Sequence, residues 1–136
     1  MSSRKLSDLH PDLEVKANQM LAECKHQGID IIITCTYRSA EEQLALYKQG
    51  RETPGKIVTA AKPGQSAHNS VNPNGSPSAQ AFDVVPLING KPQWDAQDPI
   101  WQRVGAIGKS FGLEWGGDWV GLYDLPHFQL AGFKPE

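Results

Sequence analysis

Cysteine, long apolar runs and basic blocks are scarce in this sequence, and each shortage excludes a class of protein. The 136 residues include two cysteines, Cys24 and Cys35, outside any CxxC spacing. This argues against a disulfide framework or a thiolate zinc site, and we expect two buried free thiols. The longest mainly apolar stretch, at 29–33, is far too short to span a bilayer, so no membrane insertion is expected.

The charge balance and the N-terminus exclude further classes. Lys and Arg number 13 against 15 Asp and Glu, for a net charge of -2, and no basic block predicts a nucleic-acid partner. The first residues lack the apolar region of a signal peptide, so we expect synthesis in the cytoplasm. The length and the 39% hydrophobic content predict one folded domain over 1–136.

Hydrophobic periodicity and capping signals predict three helices. One spans 11–27, a second follows the capping box of Ser39 and Glu42, with Leu44 and Tyr47 on its buried face, and a third begins after Asp98. Strands are expected at 29–36, 81–85, 113–115 and 126–130. This order of elements predicts an α+β fold in which three helices pack on a small, mostly antiparallel sheet.

Two histidines and an aspartate stand in positions that ordinary surface residues do not explain. Asp83 lies inside the apolar strand, where an unpaired buried carboxylate costs several kcal/mol. His68 follows a long Gly-, Pro- and Ser-rich loop, and His127 lies near the C-terminus. Catalytic zinc takes three ligands of these types. The residues alone also allow a loop histidine, an aspartate that bonds backbone amides and a core histidine.

Three short motifs resemble the signature of the LAS metallopeptidases. Ser66-Ala-His68, Ala81-Phe-Asp83 and Asp124-Leu-Pro-His127 are similar to the family's S-x-H, A-x-D and D/E-x-x-H. The stretches 36–51, 115–119 and 126–129 are also similar to family sequence, so the resemblance covers about 7–130. The family includes D-alanyl-D-alanine carboxypeptidases, dipeptidases and L-alanyl-D-glutamate endopeptidases, many of them phage endolysins.

The resemblance implies a Hedgehog/D,D-peptidase-like fold and one catalytic zinc ion held by His68, Asp83 and His127. It also implies that Asp124 is the catalytic base. The alternative for Asp124 is that it caps the turn before Pro126.

Two more residues receive roles by resemblance. Arg38 is expected to bind a substrate carboxylate or the developing oxyanion, a task suited to its fork of donors. The alternative role for Arg38 is a structural ion pair with Glu41 or Glu42. Ser66 is expected to bond substrate or orient its loop, and the four tryptophans are assigned no site.

One departure from the family pattern lies between the first two ligands. Asp83 follows His68 by 15 residues, eight more than in S-x-H-x-x-G-x-A-x-D. The extra residues fall within 69–80, a turn-rich stretch that we expect to form a mobile flap over the site.

The resemblance implies a zinc-dependent peptidoglycan endopeptidase that cuts the L-alanyl-D-glutamate bond of stem peptides and lyses the host. It would act as a monomer, without a separate cell-wall-binding domain, after holin-type release into the periplasm. A D,D- or L,D-carboxypeptidase is the alternative among enzymes. A non-catalytic zinc-containing binding domain of the same fold is the alternative from another class.

Overall fold

The computed structural model describes residues 2–133, which form three α-helices, five β-strands and three short 3-10 helices. The helices are α1 (Pro11–His26), α2 (Ala40–Lys48) and α3 (Ile100–Ser110). The strands are β1 (Asp30–Cys35), β2 (Ala81–Ile88), β3 (Lys91–Pro92), β4 (Leu113–Trp115) and β5 (His127–Leu130). The 3-10 helices span Leu6–Asp8, Ala67–Asn69 and Gly116–Asp118.

The strands form one sheet whose pairings are all antiparallel. Its order is β1-β2-β5-β4, and β3 pairs with β2 through a hairpin at Asn89 and Gly90. Both turn residues have positive φ, as a tight hairpin turn requires. The α+β prediction of three helices with a mostly antiparallel sheet is therefore confirmed.

Local signals determine the helix ends. Ser39 and Glu42 form the expected capping box at the start of α2. Asp98 accepts a hydrogen bond from Ile100 N at 2.9 Å, although the N-cap position of α3 belongs to Pro99 and not to Asp98 as expected. The helix begins at Ile100, one residue after the position expected from Pro99.

The core lies between the sheet and helices α1 and α3. Phe82 and Phe128 stack with ring centroids 5.8 Å apart in adjacent strands. A Cβ on Gly105 or Gly108 of α3 would overlap the ring of Trp115 or Phe128, respectively. The two glycines therefore allow the helix to approach β4 and β5 closely. This close packing fixes the position of β5, the strand that carries His127.

Helix α2 does not contribute the apolar face that we expected. Leu44 is 39% exposed, whereas Gln43 is completely buried. Burial of an amide is tolerated here because its polar atoms bond Arg38 and the backbone near residue 61. The prediction for Leu44 was wrong, and the helix turns a polar side chain inward.

Cys24 and Cys35 are both buried and unpaired, as expected. Within residues 2–133, every helix falls short of the length and apolarity that a membrane crossing requires.

Candidate metal centre and active site

Strand register brings the first two residues of the site together. Asp83 on β2 lies directly opposite His127 on β5, and its other neighbour in the sheet is Cys35 at the end of β1. His68 reaches the same place from the 3-10 helix Ala67–Asn69. Ser66 caps that helix by accepting a hydrogen bond from His68 N at 3.2 Å.

The two histidines point nitrogen atoms at the same carboxylate oxygen. Nε2 of His68 lies 3.1 Å from Oδ1 of Asp83, and Nδ1 of His127 lies 3.4 Å from it. Both imidazoles are almost fully buried. The structure therefore brings together the three residues expected to hold a metal.

The far nitrogen of each ring faces an oxygen that accepts hydrogen bonds. His68 Nδ1 lies 2.7 Å from the carbonyl oxygen of Thr36, and His127 Nε2 lies 2.7 Å from Oε1 of Gln129. These oxygens can accept the ring proton of a neutral imidazole, and a ring that carries its proton there presents a lone pair on the inner nitrogen. Two lone pairs and a carboxylate oxygen then converge, an arrangement that a cation stabilises and that suits a zinc site.

The electrostatics of the cluster agree with this need for a cation. Burial by itself lowers the pKa of His68, but the charge of Asp83 and its hydrogen bond outweigh burial and raise that pKa to about 10. Burial alone would raise the pKa of Asp83, yet the two histidines hold it well below its usual range. Asp83 therefore stays ionised at the centre of the cluster.

Asp124 lies at the edge of the cluster, with its side chain 45% exposed. Its Oδ2 is 3.9 Å from Nδ1 of His127. Burial, and then the charge of Asp83, raise the pKa of Asp124 above its ordinary value. Two overlapping groups have the spacing of metal ligands: Cys35 with His68 and Asp83, and Asp83 with Asp124 and His127.

Arg38 lies on the other side of Asp83. Its Nη2 is 3.8 Å from Oδ2 of Asp83, and its Nη1 donates a hydrogen bond to Oε1 of Gln43 at 3.1 Å. The buried Nε has no acceptor among residues 2–133. Arg38 thus forms an ion pair with Asp83 and keeps one N–H without an acceptor.

All six residues singled out in the sequence line one cavity of about 280 Å³. Its full lining is Arg38, Leu46, Val58, Thr59, Ala61, Ser66, His68, Asp83, Trp119, Asp124, His127 and Gln129. Sequence reasoning missed Trp119, whose ring centroid lies 4.9 Å from that of His127, and the hydrogen-bond partner Gln129. Both residues lie close in sequence to the motif 124–127, Trp119 before it and Gln129 after it. This closeness is the sequence signal that could have identified them as parts of the site.

Residues 69–80 do not form the expected flap, because no residue of this fully described segment lines the cavity. Val71 and Pro77 pair as an antiparallel bridge, and Ser78 N donates to Ser70 O at 3.0 Å. The base is anchored to the N-terminal region through Ala79, which bonds the backbones of Asp8 and His10. The extra residues therefore project as an exposed hairpin, and Val58, Thr59 and Ala61 form this part of the cavity wall instead.

Comparisons with known proteins identify the family. A family model described as D-alanyl-D-alanine carboxypeptidase, of peptidase family M15, matches residues 59–130. Peptidoglycan L-alanyl-D-glutamate endopeptidase CwlK of Bacillus subtilis is 38% identical over 132 residues, which cover 91% of this chain and 74% of that protein. The chain belongs to peptidase family M15.

Two further similarities were found, one in sequence and one in fold. An L-alanyl-D-glutamate peptidase of Listeria phage A118 is 29% identical over 126 residues, covering 92% of this chain but 39% of the phage protein. The fold of this M15 peptidase is similar to the crystal structure of Serratia marcescens L-Ala D-Glu endopeptidase ChiX, with a TM-score of 0.67 and 23% identity. That match covers 96% of this chain and 89% of the other.

Proposed function

We propose that the protein is a zinc-dependent peptidoglycan endopeptidase that hydrolyses the L-alanyl-D-glutamate bond of bacterial stem peptides. The observation that carries the proposal is the convergence of His68, Asp83 and His127 in a cavity that also holds Asp124 and Arg38. The names of the Bacillus and phage relatives support the choice of bond.

His68 Nε2, Asp83 Oδ1 and His127 Nδ1 would hold one zinc ion. The donor set fits because the outer nitrogen of each imidazole faces an acceptor, Thr36 O or Gln129 Oε1, that can hold the ring proton away from the metal. When bound, zinc supplies a Lewis acid that polarises a carbonyl group and lowers the pKa of a water molecule. The lining of the cavity provides the remaining groups that peptide hydrolysis needs.

Asp124 would accept the proton of the attacking water and pass it to the leaving amine. It lines the cavity, its side chain is half-exposed, and its Oδ2 lies near His127 without the close contacts that Asp83 makes. Its position is determined by the backbone, because Asp124 N donates to Gly116 O at 2.9 Å and Asp124 O accepts from His127 N at 3.2 Å. The carboxylate is therefore held beside the cluster and is open to substrate.

Arg38 would bind the carboxylate of the D-glutamate residue. In an L-alanyl-D-glutamate bond, this carboxylate lies on the carbon that carries the scissile nitrogen. The guanidinium is anchored through Gln43 and Asp83, and its buried Nε lacks an acceptor within the described residues. Ser66, at the cavity wall, would orient the loop of His68 or bond substrate.

A carboxypeptidase that trims terminal D-alanine is the alternative enzyme, and the description of the matching family model favours it. Such an enzyme needs a wall that closes one end of the site around a free terminus. The cavity has exposed flanks, since Val58 in its lining is 47% exposed and Leu122, which lines an adjoining cavity with Val58, is 46% exposed. An open cleft favours cleavage within a peptide over removal of a terminal residue. The other alternative, a non-catalytic binding domain, is disfavoured by family membership together with the presence of Asp124.

We further propose that the protein acts in cell lysis, as a phage endolysin. The relative in a Listeria phage supports this context, whereas the Bacillus relative shows that similar sequences also occur in bacterial genomes. In the lytic role, the enzyme would reach the periplasmic cell wall after release from the cytoplasm through a holin-type pore.

Mass spectrometry of digested peptidoglycan tests the bond assignment. The expected products are stem peptides that begin with a new D-glutamate amine. Release of free D-alanine with intact L-alanyl-D-glutamate linkages would instead establish the carboxypeptidase. Loss of turbidity of bacteria with permeabilised outer membranes measures lysis in the same preparation.

A further inference from the structure

The hydrogen bonds behind His127 extend to a residue outside the cavity lining. Gln129 on β5 lies directly opposite Glu114 on β4 in the antiparallel register. Its Nε2 donates to Oε2 of Glu114 at 2.7 Å, and its Oε1 lies 2.7 Å from Nε2 of His127. A chain of two short hydrogen bonds therefore runs from the β4 carboxylate to the imidazole.

Glu114 determines which way the Gln129 amide faces. An ionised carboxylate only accepts hydrogen bonds, so it requires the NH₂ group of the amide on its own side. The amide oxygen must then face His127. An amide alone has no such preference, because its two ends have the same shape and it can turn over.

The amide orientation in turn determines the tautomer of His127. In a neutral ring, an amide oxygen 2.7 Å from Nε2 favours the proton on that nitrogen and leaves the lone pair on Nδ1. Asp83 Oδ1, 3.4 Å from Nδ1, competes for the same proton, so the amide must present its oxygen for Nδ1 to stay free. A turned amide would present its NH₂ group and favour the proton on Nδ1. That tautomer cannot use Nδ1 as a metal ligand.

We propose that Glu114 is a positioning residue that prepares His127 for metal binding by orienting the Gln129 amide. The inference rests on the zinc site of the proposed function, and it names the partner that selects the ligating nitrogen. Glu114 is exposed and touches neither Asp83 nor the other histidine, so it acts through Gln129 and His127.

The substitution Glu114→Gln tests this selection with almost no change in shape. The new side chain can donate as well as accept, so both orientations of the Gln129 amide become available. We expect zinc affinity to fall about 10-fold, in the range seen when partners of metal-bound histidines are removed. In metal-free protein, nitrogen NMR of the His127 ring should show the proton moving from Nε2 toward Nδ1 in this variant relative to wild type. Glu23→Gln on α1, where the carboxylate accepts from Gln27, is the matched control and should change neither quantity.

The double substitution Glu114→Gln/Gln129→Glu separates orientation from structural damage. It exchanges the two groups, so the carboxylate beside His127 can only accept and again requires the proton on Nε2. We expect zinc affinity and the Nε2–H tautomer to return to within about threefold of wild type, since an acceptor again holds the Nε2 proton of His127.

Two results would overturn the proposal: a wild-type tautomer ratio in Glu114→Gln, or a double variant that binds zinc as weakly as the single one. Absence of zinc binding by the wild-type protein would instead count against the proposed function. Zinc binding without cleavage would refute the proposed enzyme and leave the positioning role intact.

Discussion

Asp83 Oδ1 lies 3.1 Å from Nε2 of His68, although the two residues are 15 positions apart and belong to different elements. Asp83 is held by the central strand β2, which pairs with both β1 and β5. His68 is held by a short 3-10 helix whose cap is Ser66. The contact between the two side chains therefore depends on both elements.

Replacing any one of the three proposed ligands should prevent the protein from holding one zinc ion per chain. Elemental analysis should find about one zinc ion per chain in the wild type. It should find a small fraction of this in His68→Ala, Asp83→Ala and His127→Ala, because each change leaves two of the three protein ligands that a catalytic zinc site needs. His26→Ala, at the end of α1, is the control and should keep its zinc. Full retention in all three variants would refute the ligand set.

Asp124→Asn should retain zinc and the fold but lose activity. The amide cannot take the proton of the attacking water, so we expect kcat to fall about 100-fold or more. Zinc content and the thermal unfolding midpoint are measured on the same samples. Loss of zinc from this variant would show that Asp124 is a ligand, and near-normal activity would place the base elsewhere.

The exposed tip of the hairpin formed by 69–80 should be dispensable for zinc binding and catalysis, whereas the base of the hairpin should not. Replacing 73–75 with an Asn-Gly turn keeps the hydrogen bond from Asn72 N to Ser76 O and the pairing of Val71 with Pro77, because two-residue turns of this type join antiparallel strands. We expect zinc content and rate within about twofold of wild type, since loop changes of this size cost little. A large loss of rate would restore the flap hypothesis.

Shortening the same segment by eight residues, to the family spacing, should lower stability. Such a deletion must remove part of the base, which includes the buried Ser78 and Ala79. Their backbones bond Ser70 and Asp8, so we expect a loss of about 2 kcal/mol or more, about the cost of unsatisfied buried groups. Chemical denaturation of the two variants side by side measures the difference.

Gln43→Met should weaken substrate binding more than it slows the chemical step. Gln43 holds Arg38 Nη1 and donates to the Ala61 carbonyl, so its loss frees both the guanidinium and the cavity wall. We expect KM to rise about 10-fold and unfolding free energy to fall by about 1–3 kcal/mol, because buried polar groups lose their partners. Gln102→Met, on the exposed face of α3, should be neutral.

Local sequence determined the elements and much of the site. The capping box at Ser39 and the period of α1 depend on neighbouring residues, so they could be predicted from the chain alone. The sequence also named six residues that the structure places around one cavity, because short motifs carried them and a buried aspartate on a strand demands a partner. Their roles remain predictions, as do the single-domain organisation and the monomeric state.

Only the tertiary structure decided which groups surround these residues. Helical spacing favoured Leu44 as the buried residue of α2, but a polar pocket beneath the helix accepts the Gln43 amide. The path of 69–80 away from the cavity depends on its pairing with Asp8 and His10, which are distant in sequence. The bond between Gln129 and Glu114 likewise requires the register of β4 against β5. Such contacts join elements with no common local signal, so the hydrogen bonds that prepare His127 became visible only in the folded chain.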